Sequence, residues 1–450
     1  MIGISGPVFR PGDDGYHDER LGYNLALDHQ PALVVGAQGA EDVVAAVRYA
    51  AQAGLGVAVQ ATGHGISTPT DGQLVISTSR MRGVSVDPAR RTAVVEAGAR
   101  WGEVLAEAEP HGLAPLSGSN PDVGAVGYTL GGGIGLLGRR YGYAADRVRA
   151  LSVVTADGQL REVSPEREPD LFWGLRGGKD NLGIVVSMEI DLFPVPALFG
   201  GGLYFPADHA AQALHGYVEW TATVPEEMSS SIQLIHYPDL PVLPEPLRGR
   251  FVAHVRIAWS GAPEQAEQWV RPLRELGPLL MDTLREIPMT ESGSIHHEPP
   301  MPVAAYDRNT ALRELPPVAV DTLLELAGPQ AGAPIILELR HHGGAYARLP
   351  EVPNAVGGRD AAYLLFSTFI LEPGSLGELR KAHAALHESV APWSTGGSFV
   401  NFLGIDDTAP DRVREAYTPQ DYRRLAALKA VHDPGNLFRV NYNIPPAAEA

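Results

Sequence analysis

Between residues 41 and 53 the apolar positions Val43, Val44, Val47, Ala50 and Ala51 recur at the spacing of one helix face, and Gly54 predicts the stop. Short apolar runs at 33–35 and 57–59 flank that helix, so residues 33–60 are predicted to form a β-α-β unit. The second of these strands leads directly into Thr62-Gly63-His64-Gly65, which puts this loop at the carboxyl edge of a sheet, where ligands of α/β proteins collect. Strands are predicted over 74–78, 83–86 and 92–96, the last two joined by an Asp87-Pro88 turn, and a helix over 101–111 that ends at Gly112. Apolar runs at 151–155 and 159–163 flank Asp157-Gly158, a two-residue hairpin signal.

Beyond Leu192-Phe193-Pro194-Val195-Pro196 the texture changes, and the prolines mark a boundary. A helix over 263–276 and longer alternating strands at 231–237, 250–259, 334–342 and 363–371 predict an antiparallel sheet, with helices on one face and a pocket on the other. The proline-rich stretches 237–249 and 295–303 are predicted to be surface loops.

At 450 residues, 44% apolar and 20% charged, the chain is long enough for two globular domains. A formal charge of -18 argues against nucleic acid and anionic membranes as partners. The start of the chain lacks a signal peptide and no apolar run spans a bilayer, so a cytoplasmic location is expected. With no cysteine there are no disulfides, thiolate metal sites or cysteine nucleophiles, and redox chemistry requires a bound cofactor.

Two motifs supply a place for one. His64 sits between Gly63 and Gly65, on backbone that can press against a planar ligand, and the stretch Gly127-Tyr128-Thr129-Leu130-Gly131-Gly132-Gly133-Ile134-Gly135 offers bare amides of the kind that cradle a pyrophosphate. Together they read as a flavin site. Gly133 to Gly138 also satisfies the dinucleotide pattern G-x-G-x-x-G, but its acidic partner Asp157 falls in a hairpin turn rather than at the end of a parallel strand. No metal is expected, because His296-His297-Glu298 lacks ligand spacing and His341 and His342 point to opposite faces of a strand.

The loop at 62–65, Val95-Glu96-Ala97-Gly98-Ala99, Pro121-Asp122-Val123-Gly124, the 127–135 stretch, the run from Leu171 to Gly178 and the tail Asp433-Pro434-Gly435-Asn436-Leu437-Phe438-Arg439 together resemble the FAD-linked oxidases of the berberine bridge enzyme type. The resemblance implies an α+β fold: a PCMH-type FAD-binding domain of two subdomains over 1–196, a substrate domain over 197–398 inserted on an antiparallel sheet, and a segment over 399–450 that completes the first domain. It implies FAD bound covalently to His64. Relatives with a second covalent bond carry a cysteine just before the Pro121 segment, where this chain has Asn120, so a single link is expected. The remaining cofactor contacts implied are Thr62, Gly63, Gly65, Asn120, Pro121, Val123, Gly124, Gly127, Tyr128, Gly131, Gly132, Gly133, Gly135, Gly183, Val185, Asn441 and Asn443. The tail around Tyr417, Tyr422 and Arg439-Val440-Asn441-Tyr442-Asn443 is similar to that of the bacterial 6-hydroxynicotine oxidase subgroup.

For catalysis a substrate C–H must face the flavin beside a group that takes the O–H or N–H proton, with O2 as the second substrate and H2O2 as product. Alternation over 334–342 puts Glu338 and Arg340 on the polar face of their strand. Glu338 is the first candidate for an acid/base or substrate-orienting residue, or else a salt-bridge partner of Arg340 or Arg256. Tyr442 is the second, as a depressed-pKa base or as a packed, hydrogen-bonded phenol. Where the nicotine-oxidising subgroup keeps a second acid on this strand, Arg340 would repel a cationic amine and welcome a phenolate, carboxylate or carbonyl oxygen. The expected substrate is therefore an alcohol or phenolic natural-product intermediate. The alternatives are an amine, a redox-neutral or scaffold role and, more weakly, a carbohydrate; a monomer or homodimer is expected.

Overall fold

The computed structural model describes residues 3–65, 68–372 and 374–448, and three sheets organise them. The first has the order Val8–Phe9, Leu33–Gly36, Leu74–Ser77, Val57–Gln60. Leu33–Gly36 and Val57–Gln60 each run parallel to Leu74–Ser77, so the β-α-β unit is present but its crossover leaves a gap that the third strand fills. Helix Ala40–Ala53 buries Val43, Ala46, Val47 and Ala50 and ends at Gly54, whose φ of 69° lies where glycine alone is unstrained.

The second sheet is antiparallel, in the order Val84–Asp87, Thr92–Glu96, Ile184–Asp191, Val148–Val154, Leu160–Val163. Asp157 closes its hairpin by accepting from Thr155 Oγ1 and the Gln159 N–H and by pairing with Arg161. No strand leads into Gly133, which follows the helix Ala125–Leu130 through irregular backbone. A dinucleotide fold is thereby excluded.

Eight antiparallel strands between residues 197 and 370 form the third sheet, and Phe251–Trp259, Met228–His236, Ile336–His341 and Tyr363–Ile370 lie at its centre. Helices Ala210–Thr221, Pro263–Arg274, Pro317–Ala327 and Leu376–Ser389 cover one face, where Leu214, Tyr217, Ile232, Val255, Leu337, Leu339 and Leu365 are buried together. Strands Ala197–Pro206 and Ala305–Leu312 also belong to it, although the sequence pattern did not predict them. The loop at 237–249 is exposed apart from the buried Leu247 and the half-buried Tyr237, Leu243 and Arg248, but 295–303 corrects the expectation of a surface loop: Ile295 and His296 are buried, and only the residues after them emerge. Among the described residues no helix is long and apolar enough to cross a membrane.

The tail returns to the N-terminal half. Helix Pro419–His432 sets Tyr422 and Leu425 into the core beside Phe172 and Trp173. At its end the fully buried Lys429 ammonium donates to the Asn181 and Phe438 carbonyls and pairs with Asp433 at 2.9 Å. Asp433 in turn accepts the N–H groups of Leu437 and Phe438, which gives the Asp433-Pro434-Gly435 motif a structural function.

Behind the large sheet, helix Leu376–Ser389 carries the buried His383 and His387, both hydrogen-bonded to Ser367, and His387 also to Thr310. Burial pushes His383 down to about 3 and His342, on the opposite side of the sheet, likewise to about 3. An unfolded histidine takes up its proton near 6.5 while these two stay neutral, so stability is complete above that pH and falls as acid is added. Asp307, pushed up to about 6 by burial, opposes this with one proton. Thermal melts should accordingly show a steady loss of stability from pH 6.5 towards 4.5, on the order of 1.4 kcal/mol per pH unit for each uncompensated histidine. A flat profile there would contradict the neutral, buried assignment.

Candidate active site

Backbone pairing fixes the His64 loop. Tyr23 and Asn24 donate their N–H groups to the Thr62 and Gly63 carbonyls. Gly63, at φ 71°, presses so closely on Gly22 that a Cβ would sit 2.2 Å from its neighbour's Cα. This approach stacks the Tyr23 ring on the His64 imidazole, with centroids 3.9 Å apart and planes 11° from parallel. The imidazole Nδ1 is hydrogen-bonded to Thr62 Oγ1 at 2.8 Å, whereas the buried Nε2 has no protein partner. Burial, reinforced by Arg100 and opposed by Asp122, lowers the His64 pKa to about 4. At neutral pH the ring is uncharged.

The glycine-rich stretch serves the protein more than any ligand. A Cβ on Gly131, Gly133 or Gly135 would fall 1.9 Å from Asn401 Oδ1, 2.5 Å from the Tyr128 ring or 2.0 Å from the Ser117 carbonyl oxygen. Gly132 and Gly133 adopt φ 104° and 79°. Only Gly127, with nothing within 4 Å, and Gly65, with the Lys179 ammonium 3.7 Å away, leave open backbone. Gly124 joins the two loops through a 3.4 Å N–H bond to Thr62 Oγ1. Asn120 caps the turn holding Pro121 and Val123 by accepting the Asp122 N–H. Gly183 is required by the close approach of Val153, and Val185 packs in the core of that sheet.

Lys179 was not foreseen. It follows Arg176-Gly177-Gly178 in a left-handed conformation, φ 54°, that costs a non-glycine residue energy. Its ammonium donates to Asn401 Oδ1 at 2.8 Å and lies 5.9 Å from the Tyr442 ring centre, while Asn401 Nδ2 donates to the Tyr128 carbonyl. Burial lowers its pKa. The tail, the glycine stretch and the His64 loop thus converge on one amine. Tyr442 donates its hydroxyl to the Leu403 carbonyl and packs its ring in the apolar core, the arrangement of the packed, hydrogen-bonded alternative raised for it. Asn441 and Asn443 each keep a buried, unpartnered Oδ1, as Tyr128 keeps a buried, unpartnered hydroxyl.

These orphaned groups, with His64 Nε2, fit a flavin, a flat heterocycle with hydrogen-bonding edges. The residues that would hold it come from the 62–65, 120–135 and 441–443 segments.

Facing this region is the open side of the large sheet. Glu338 is 4% exposed and both its oxygens are engaged: Oε1 with Arg340 Nε and Arg256 Nη1, each at 3.1 Å, and Oε2 with Arg340 Nη2 at 3.2 Å. Burial would raise its pKa, but Arg340 and Arg256 outweigh that and hold the carboxyl below its ordinary range. Gln233 Oε1 accepts from Arg256 at 2.6 Å, and the Arg340 guanidinium lies 5.0 Å over the Phe402 ring. His296 enters the same cleft with Nδ1 3.9 Å from Glu338, and burial drives its pKa well down. Ser119, Ser229, Ser231, Ile134 and Tyr346 also line it. The salt-bridge alternative raised for Glu338 is therefore realised with both arginines at once. Arg256 and His296 gain their place by register and by a buried loop, neither of which a local pattern reveals.

Comparison with known proteins agrees with this geometry. Residues 31–164 match the FAD binding domain family and residues 398–445 the berberine and berberine-like family. The (R)-6-hydroxynicotine oxidase of Paenarthrobacter nicotinovorans is 29% identical over 99% of this chain and 98% of its own. A chitooligosaccharide oxidase of Gibberella zeae is 26% identical over 98% of this chain and 93% of its own. The crystal structure of 6-hydroxy-D-nicotine oxidase from Arthrobacter nicotinovorans superposes with a TM-score of 0.83 at 25% identity, covering 99% of this chain and 98% of that one. The chain thus carries the FAD-binding and berberine-like domains that mark FAD-linked oxidases of the berberine bridge enzyme type, and is an FAD-linked oxidoreductase.

Proposed function

We propose that the protein oxidises an alcohol or phenolic intermediate on FAD held by one covalent bond to His64, formed at Nε2. When bound, FAD supplies a two-electron acceptor for the substrate hydride and passes the pair to O2, so that alcohol and O2 become carbonyl and H2O2. The observation that carries this reading is the imidazole clamped by Tyr23 and Thr62, whose buried Nε2 meets no protein group. Asn120 offers no second nucleophile. Residues 1–196 and 399–450 would form the flavin domain and 197–398 the substrate domain.

On the substrate side, Glu338 is assigned the orienting role rather than that of base, since its oxygens are occupied and its proton affinity is reduced. Arg340 and Arg256, held in place by it, disfavour the cationic amine that the name of the nicotine enzyme suggests. Tyr442 would anchor the tail against the flavin domain. Glu338→Gln should slow reduction of the flavin by substrate about tenfold or more while leaving flavin content unchanged, as followed by anaerobic bleaching of the yellow band. An unchanged rate removes Glu338 from the site. Release of H2O2 from a panel of secondary alcohols and phenols tests the oxidase reading itself; bleaching by amines alone would favour the nicotine-like alternative.

A further inference from the structure

Resting on the oxidase reading, the geometry points to a substrate that carries a carboxylate, received by Arg256 and Arg340 across the open face of the large sheet. Strand register sets the receptor. Ser231 pairs with Arg256 on one side and with Arg340 on the other, so three adjacent strands present Arg, Ser and Arg in one row. In the next row Gln233 pairs with His254 and with Glu338.

Within ion-pairing distance the charges of this row do not cancel. Arg256 is 3% exposed, and the Arg340 side chain is 13% exposed. Between them stands Glu338 as the only carboxylate that the described residues pair with either. Burial keeps His254, His296 and His342 neutral, so none of them offsets or adds to the charge. The next acid, Glu298, accepts from Ser119 at the partly exposed rim; it acts on Arg340 at longer range but forms no ion pair with either arginine among the described residues. Arg256 Nε is also buried without a partner. Burying guanidinium groups in excess of carboxylates is costly unless an anion joins them. Gln233 and the Phe402 ring hold the two forks still, which suits the planar, two-oxygen geometry of a carboxylate better than a sugar hydroxyl or an amine.

The test is calorimetric titration of the flavin-loaded protein with benzoate, benzamide and benzylamine. Benzoate should bind about tenfold or more tighter than either of the others, the difference expected for a charge-assisted contact. Arg340→Gln should remove that preference without changing benzamide affinity, and Arg340→Lys, which keeps charge but loses the fork, should restore it in part. Should Arg340→Gln fail to fold, the ranking of the three ligands on the unaltered protein still decides. Equal binding of benzoate and benzamide, or an Arg340→Gln protein that keeps the preference, overturns the assignment. Because heat of binding is read without turnover, a failed oxidase reading would leave benzoate binding intact, whereas a failed carboxylate assignment would leave flavin and peroxide release intact.

Discussion

His64→Ala should yield a protein whose flavin leaves on acid precipitation, with most of the oxidase activity lost even when FAD is supplied. On the proposed reading an imidazole bonded to the flavin would both retain the cofactor and withdraw electron density from it, so its removal should lower the reduction potential as well as occupancy. The effect should be specific. Thr62 and Tyr23 hold the ring through one hydrogen bond and one stacked face, and neither is part of a core whose loss would unfold the chain. Thermal stability measured with saturating FAD should therefore change little, while colour in the acid pellet disappears. Colour retained by the variant would place the covalent bond elsewhere.

The largest effect on stability is expected at Asp433. Asp433→Ala strips the counterion from the Lys429 ammonium, which is fully buried, and leaves the Leu437 and Phe438 N–H groups without their acceptor. Removing one member of such a pair costs about 3–5 kcal/mol. The damage should reach the site, because the Leu437 carbonyl accepts from Val57 at the head of the strand that leads to the His64 loop. A double variant, Lys429→Met with Asp433→Leu, should recover part of the loss, since no charge is then left unpaired. Denaturant melts of the single and double variants measure this coupling; a mild Asp433→Ala phenotype would show that the motif does not clamp the tail.

How much of this was legible in the sequence depends on the range of the interaction. Helix Ala40–Ala53, the hairpin at Asp157-Gly158 and the turn at Asp87-Pro88 rest on neighbouring residues, and each formed where the pattern placed it. Strand Ala197–Pro206 did not announce itself, because Gly200 to Gly202 interrupt it and burial on both faces erases the alternation. Ala305–Leu312 was hidden by Asp307, Arg308 and Asn309; the last of these is buried only because Phe399, 90 residues away, supplies both its hydrogen bonds. The site divides in the same way. Its two glycine-bearing loops could be read directly, although most of the glycines in the second prove to be demanded by packing rather than by a ligand. Tyr23 on His64, Asn401 on Lys179 and Arg256 on Glu338 are pairings across the fold, and no local spacing encodes them.

The measurement that bears most directly on the account is peptide mapping of the acid-precipitated, unaltered protein. The pellet should be yellow, and a single peptide, the one containing His64, should carry the mass of FAD on its imidazole. A colourless pellet, or flavin on any other residue, would contradict it.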